Sequence, residues 1–289
     1  MEIITKHLGY IYYPRTPFAR RVLKDVNIHI KENQLVAVVG HTGSGKSTLI
    51  QHFNGLLKPT EGYVQVGPNK LEAKQKKAPI LYDSIGLVFQ YPEHQLFEES
   101  VEKDIAFGPK NLGWPEDLIK QRTRQVISKV GLDPSYLSRS PFELSGGEKR
   151  RVAIAGVLVM QPDILILDEP TAGLDPEGQR QMLEMMAGWK KEQGKTVILV
   201  THQMGHVAEY ADEVIVMADG QVKWQTTPVA LFTQHADQLS QLGLEIPPLI
   251  QLVQKLNERL EHPLKISSTK KEAVLKAIAS RIKGAKIGI

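Results

Sequence analysis

The sequence predicts an α/β protein organised on an open, mainly parallel sheet, and three observations carry the prediction. Strand-like and helix-like segments alternate along most of the chain, the pattern of parallel strands joined by crossover helices. Two short runs, Val36–Val39 and Ile164–Leu167, are apolar at every position, as strands buried on both faces are. The first of them runs into a glycine-rich turn, Gly40-His41-Thr42-Gly43-Ser44-Gly45-Lys46-Ser47-Thr48, after which the pattern becomes helical. With 289 residues the chain has room for one large domain, or one domain and an appendage. No internal repeat is visible.

That turn has the spacing of a phosphate-binding loop, G-x-x-x-x-G-K-S/T, in Gly40, Gly45, Lys46 and Ser47. Glycines let successive backbone N–H groups close around a polyphosphate, and the positive end of the following helix faces the same anions. Lys46 can reach β- and γ-phosphates, and the Ser47 hydroxyl can ligate Mg²⁺. A nucleotide is the expected ligand; the alternative is a glycine turn that binds nothing.

Taken in order, residues 3–8 and 25–30 read as strands around a turn-rich link, Tyr12-Tyr13-Pro14-Arg15-Thr16-Pro17. Tyr12 or Tyr13 can stack on an adenine ring, with edge packing as the alternative for either. A helix runs to about Asn54, Lys58–Gly67 reads as a turn and a strand, and residues 69–79 as a lysine-rich exposed loop. The strand at 84–89 delivers Gln90 at its end. From Tyr91 to about Met160 the character is helical. Leu118, Ile119, Val126, Ile127 and Val130 recur at helical spacing and Gly131 stops that helix; another begins after Leu144-Ser145-Gly146-Gly147-Glu148. Ile164–Leu167 ends in Asp168-Glu169-Pro170. There follow a helix from Pro176 to about Lys191, the strand Thr196–Val200 delivering Thr201-His202, a short helix over 204–210, and a hairpin turned by Asp219-Gly220.

The segment after about residue 236 stands apart. Pro247-Pro248 opens a helix with Leu249, Leu252, Val253, Leu256 and Leu260 on one stripe. Thr269 and Glu272 have the spacing of a capping box ahead of Val274, Leu275, Ile278 and Ile282. Two short amphipathic helices cannot bury both stripes alone, so they must pack on the core or on another chain. From Lys265 onward there are seven basic residues and one acid, Glu272. A solvated helix face is the plain reading, with an acidic partner or anionic headgroups next and nucleic acid last.

Composition narrows the field further. The absence of cysteine excludes disulfides and thiolate metal sites and is compatible with a reducing compartment. No apolar run reaches the roughly 18 residues of a membrane span, and Met1-Glu2-Ile3-Ile4 lacks a signal peptide's basic and apolar regions.

Two further constellations suit a nucleotide site. Asp168, at the carboxyl end of a buried strand, can hold Mg²⁺ through water. Glu169 beside it can polarise an attacking water in a site shielded by nucleotide and protein; the alternative is a solvent-facing turn before Pro170. Ser145 and Glu148 form a capping box, while Ser145-Gly146-Gly147 also offers a hydroxyl and free N–H groups to a γ-phosphate. Both readings can hold together.

In this order, Gly40–Thr48, Gln90, Leu144–Glu148, Asp168-Glu169, Gly173-Leu174-Asp175 and His202 resemble the motif series of ABC-transporter ATPase subunits, over roughly residues 1–235. The resemblance implies a P-loop NTPase (ABC ATPase) core with a mainly parallel sheet and an antiparallel β subdomain. It also implies a helical subdomain inserted at about 91–160 and a C-terminal helical extension over 236–289. By resemblance Tyr12 stacks on the adenine of ATP, and Gly40, His41, Thr42, Gly43, Ser44, Gly45, Lys46, Ser47 and Thr48 hold phosphates and Mg²⁺. Gln90 links Mg²⁺ and water to a transmembrane partner, Asp168 supports Mg²⁺, Glu169 is the general base, and His202 touches the γ-phosphate. Ser145 and Gly147 contact the nucleotide held by an opposite subunit, and Asp175 acts across that dimer.

The stretches Gly40–Thr60, Val88–Phe97 and Asp104–Gly113 resemble energy-coupling-factor transporter ATPases, most of all the second of that system's two. A complex is implied: a homologous ATPase subunit forming a heterodimer, a transmembrane coupling protein and an interchangeable substrate-capture membrane protein. It would import vitamins or metal ions, with this chain bound peripherally at the cytoplasmic face of the cell membrane and no nucleic acid involved. Residues 91–101 would help form the groove for the coupling protein, where Leu96 and Phe97 suit a groove or a core alike. The C-terminal extension would contribute to ATPase pairing. Glu148 stands where many ABC proteins have Gln; near a ribose it accepts hydrogen bonds and cannot donate them. Soluble ABC proteins acting on DNA or the ribosome usually carry a long coiled-coil insertion or two fused cassettes, and this chain has one cassette and no long heptad run. A non-enzymatic, nucleotide-gated scaffold would not need Glu169.

Overall fold

The computed structural model describes residues 1–75, 81 and 84–284. It opens with an antiparallel pair, β1 (Ile3–Tyr12) and β2 (Arg20–Ile30), longer than the two strands expected. Register shifts bend β1 and carry the pairing on to Tyr12 opposite Arg20, so Tyr12 ends a strand rather than starting the link. β3 (Leu35–Val39) and α1 (Lys46–Phe53) follow, then a hairpin of β4 (Glu61–Val66) and β5 (Asn69–Glu72). β5 corrects the exposed loop expected from residue 69. Gly67 takes a left-handed φ of 51°, and the chain folds back to bury Leu71 opposite Val64. Residues 76–79 of that expected loop lie outside the described residues. The first sheet has the order β2-β1-β4-β5.

Next come β6 (Ile85–Val88), α2 (Val101–Asn111), α3 (Glu116–Lys129) and α4 (Gly146–Leu158). α3 stops as expected at Gly131, whose φ of 76° lets Leu132 N–H reach back to Ile127 O. β7 (Ile164–Asp168), α5 (Pro176–Gln193), β8 (Thr196–Val200) and α6 (Met204–Tyr210) lead to the hairpin of β9 (Glu213–Ala218) and β10 (Gln221–Thr226). The second sheet runs β10-β9-β3-β8-β7-β6. It is parallel from β9 to β6, and only β10 is antiparallel.

Alternation along β3 shows why this sheet is central. Leu35, Ala37 and Val39 join one hydrophobic cluster, Val36 and Val38 another, so both faces are covered. Parallel neighbours present their carboxyl ends on one edge. Gly40, Thr201-His202, Asp168-Glu169 and Gln90 are all delivered there, the usual location of a ligand in an open α/β sheet.

The chain closes with α7 (Pro228–Gln234), α8 (Ala236–Gln241), α9 (Pro248–Asn257) and α10 (Lys271–Gly284). Of the two ways to bury the helical stripes, packing on the core accounts for Ile250, Val253 and Val274, which share a cluster with Leu231 and Phe232. Leu252 and Leu275 remain 45% and 46% exposed; the Ile282 side chain lies outside the described residues. The expected capping box is absent. Thr269 is buried and its hydroxyl donates to Ala208 O at 2.6 Å, while Glu209 Oε2 accepts from Lys271 N–H at 2.8 Å. A buried carbonyl needs a donor where water cannot reach it, and this draws Thr269 away from its own helix. Among the described residues no helix is long and apolar enough to cross a membrane.

Candidate active site

The glycine-rich turn is shaped by close packing. A Cβ on Gly40 would collide with the carbonyl oxygen of Met217 in β9, and Gly45, with φ 103°, turns the chain into α1. His41, Thr42 and Gly43 form the exposed crest, whereas Ser44 and Thr48 are buried. The Lys46 ammonium lies inside the loop, donating to Gly40 O at 2.8 Å and His41 O at 3.1 Å. Burial pushes Lys46 below the ordinary lysine value, opposed by the charges of Glu169 and Asp168.

Across the loop, Ser47 Oγ donates to Asp168 Oδ2 at 3.1 Å. Burial raises the Asp168 carboxyl; the Ser47 hydrogen bond opposes the rise, Glu169 reinforces it and Lys46 opposes it. Two oxygen donors are the chemistry that suits Mg²⁺. Among the described residues no cluster of three His, Asp or Glu offers a separate cation cage. Gln90 is exposed just beyond β6, whose Val88 pairs with Leu167 of β7. Glu169 Oε1 accepts from His202 Nδ1–H at 2.8 Å, and Oε2 is buried with no partner among the described residues. Glu169 has a φ of 49°, uncommon for a non-glycine residue. Its N–H donates to Val200 O at 3.0 Å and its carbonyl accepts from Ala172 N–H at 3.1 Å.

An aromatic wall flanks the loop. Tyr12 OH lies 3.3 Å from Thr48 Oγ1, and Tyr10 stands edge-on to both Tyr12 and His52 at centroid distances of 4.8 Å. His52 is buried, donates from Nδ1 to Thr48 O at 2.7 Å, and is held by burial at a pKa of about 4. Tyr12, Tyr13, Phe18 and Arg20 join Lys46 and its neighbours around a cleft of about 510 Å³, within the size range of small-molecule sites. Phe18 and Arg20 were not anticipated, because only the pairing of β1 with β2 brings them beside Tyr12.

Ser145, Gly147 and Asp175 do not join this group. The capping box is complete, with Ser145 Oγ accepting from Glu148 N–H at 3.4 Å and Glu148 Oε2 from Ser145 N–H at 2.8 Å. Tyr136 OH donates to the other Glu148 oxygen at 2.7 Å, and this bond is the main cause that holds the carboxyl below its usual range. Both Glu148 oxygens are thus engaged, one by the helix start and the other by Tyr136. Asp175 caps α5 through Gly178 N–H at 2.9 Å. Ser145 and Asp175 are exposed, and none of the three residues lines the cleft. The alternatives for Leu96 and Phe97 divide: Leu96 packs on the core, while Phe97 is exposed and edge-on to Phe107 at 4.9 Å.

Sequence reasoning also missed Arg150 and Glu93. Arg150, only 3% exposed, donates from Nε and Nη2 to the two Glu93 oxygens at 2.9 and 2.6 Å. Its Nη1 donates to Pro170 O at 3.1 Å and Ala172 O at 2.6 Å. Burial alone would raise the Glu93 carboxyl, but the Arg150 hydrogen bonds and charge leave it below the usual range. In the sequence Arg150 is the middle of three basic residues, and nothing there singles it out.

The profile of the ABC transporter family matches residues 23–172. The energy-coupling factor transporter ATP-binding protein EcfA2 of Bacillus cereus is 52% identical over 261 residues, covering 90% of this chain and 89% of its own length. The EcfA2 protein of Bacillus licheniformis is 49% identical over 285 residues, or 98% and 97% of the two chains. The chain belongs to the energy-coupling-factor ATPases of the ABC transporter family. Solved structures agree. CbiO1 from Clostridium perfringens, part of the ABC transporter complex cbiONQ, is 38% identical with a TM-score of 0.73, over 87% of this chain and 98% of its own. The ATP-binding cassette MJ0796, solved as a dimer in a post-hydrolysis state bound to ADP and Pi, is 29% identical with a TM-score of 0.69, over 78% and 98%. As an energy-coupling-factor ATPase, this chain binds and hydrolyses ATP within a transporter that has membrane components.

Proposed function

We propose that this ATPase closes face to face on a homologous ATPase subunit around two ATP molecules. Closure and hydrolysis then drive uptake of vitamins or other micronutrients through a transmembrane coupling protein and a substrate-capture membrane protein. The observation that carries the reading is the division of the site. Ser47, Asp168, Glu169 and His202 gather at one sheet edge, while the exposed Ser145 and Asp175 cap the starts of their own helices, α4 and α5. A second subunit can offer its own Ser145 and Gly147 equivalents to the same nucleotide.

In this reading Tyr12 stacks on the adenine, and Lys46 and the loop N–H groups carry the β- and γ-phosphates. Ser47, Gln90 and Asp168 would hold Mg²⁺, which neutralises phosphate charge when bound. Glu169 accepts the proton of the attacking water at its free Oε2, His202 orients the carboxylate through Oε1 and faces the γ-phosphate, and Asp175 acts across the dimer. ATP drives the motion because it binds the closed pair better than the open one. The motor docks on the cytoplasmic face of the cell membrane, with Phe97, in the segment that follows Gln90, meeting the coupling protein. The division at residue 236 separates the cassette from helices whose exposed Leu252 and Leu275 join the pairing.

Titrating the chain with the homologous subunit tests this. Turnover is expected to rise with pairing and saturate at equal amounts. Full-speed hydrolysis by a verified monomer overturns it.

A further inference from the structure

Arg150 sits where three segments meet: the turn Pro92–Gln95 that follows Gln90, the start of α4 that follows Ser145, and residues 170–172 that follow Glu169. Two of its bonds go to one carboxylate and two to backbone carbonyls on another segment. A guanidinium is planar and its donors point in fixed directions, so the four bonds lock the two segments at one separation. Ala172 lies one hydrogen bond from the Glu169 carbonyl, and Glu169 holds a left-handed φ that only its surroundings can maintain. The next residue differs. Arg151 donates to Val130 O at 2.8 Å and Gln181 Oε1 at 2.7 Å and has no hydrogen bond to the Glu169 turn.

We propose that the Glu93–Arg150 pair is a positioning strut, fixing the aim of the Glu169 carboxylate and tying it to the turn 92–95. A shift of the segment beside Gln90 then carries the 170–172 turn with it, and the proton acceptor answers to the docking segment. Arg150 bonds only to Glu93 and to the carbonyls of Pro170 and Ala172 among the described residues, so it acts through Glu169. The inference rests on the proposed role of Glu169. The plain alternative is a buried ion pair with an architectural role, whose loss lowers stability and leaves the folded molecules fully active.

The test uses the full chain assembled with its ATPase and membrane partners. Arg150→Lys keeps the charge and loses the fork. Glu93→Gln keeps the shape and loses the charge. The double variant Glu93→Leu with Arg150→Met removes both charges and keeps the burial, a replacement that buried pairs often tolerate. Each is expected to lower kcat at least about tenfold with KM for ATP within about twofold, the split expected when only the transition state loses support. In a Glu169→Gln background, Arg150→Lys is expected to change the residual rate less than about twofold, because residues acting as one unit are not additive. Arg151→Lys, the control on the same helix, keeps wild-type kcat. A folded double variant with full kcat overturns the strut, as does a loss that multiplies with that of Glu169→Gln. Slow Glu169→Gln with fast Arg150→Lys overturns the strut alone. Wild-type turnover by Glu169→Gln overturns the base assignment, and the strut falls with it.

Discussion

The carboxyl edge of the parallel sheet and the C-terminal helices solve the problem of placing side chains in different ways. At the edge, the buried strands and the loops and helix they feed hold single groups at fixed points: Ser47 to Asp168 at 3.1 Å, His202 to Glu169 at 2.8 Å. In the helices a few buried side chains, Ile250, Val253 and Val274, share the attachment with scattered polar links such as Thr269 to Ala208 and Lys271 to Glu209. One region therefore depends on individual atoms, the other on area. Substitutions at the edge should abolish chemistry and spare the fold, and substitutions in the helices should do the reverse.

The largest expected effect is at the edge. Glu169→Gln should cut ATP hydrolysis by about 10²–10⁴-fold, the usual worth of a general base, while nucleotide binding followed by fluorescence survives. Lost binding would show that this carboxylate also carries structure. Next comes His52 beneath the aromatic wall. Its folded pKa of about 4 lies below the ordinary 6.5, so the unfolded chain takes up the proton first as pH falls. The contribution is complete above pH 6.5 and is lost progressively down to pH 4, about 3 kcal/mol in all. Urea midpoints at neutral and acid pH should therefore converge in His52→Gln relative to the parent; parallel curves for the two proteins would remove the assignment.

Smaller changes belong to the helices. Thr269→Val leaves the Ala208 carbonyl without its buried donor and should cost about 1–3 kcal/mol of stability with unchanged turnover per folded molecule. A matching loss of kcat would mean that the two regions are not independent. Smallest is Leu252→Ser with Leu275→Ser, expected to move monomer stability by no more than about 0.5 kcal/mol while weakening association with the partner ATPase in analytical ultracentrifugation. Unaltered association would assign those leucines to ordinary surface.

Much of the edge was legible in the sequence because its signals are local. The glycine and lysine spacing follows from how a chain wraps phosphate, and Asp168-Glu169 follows an apolar strand that could only be central. What escaped depends on partners distant in sequence. The cap of α10 comes from Glu209, 62 residues before Lys271, so the Thr269–Glu272 spacing misled. Glu93 and Arg150 are 57 residues apart and lie in segments whose composition suggests only helix. Register shifts in β1 moved Tyr12 into a strand, and Leu71 drew residue 69 onward into the sheet; neither follows from a pattern of polar and apolar letters.

The left-handed backbone at Glu169 has an evolutionary consequence. Such a conformation costs a non-glycine residue about 1–3 kcal/mol, so glycine at 169 would relieve it. A laboratory search for heat-resistant variants that scored only survival would favour that replacement, and its winners would be sturdy proteins that grip nucleotide without splitting it. On the role proposed for Glu169, the chain gives up about that much durability for turnover.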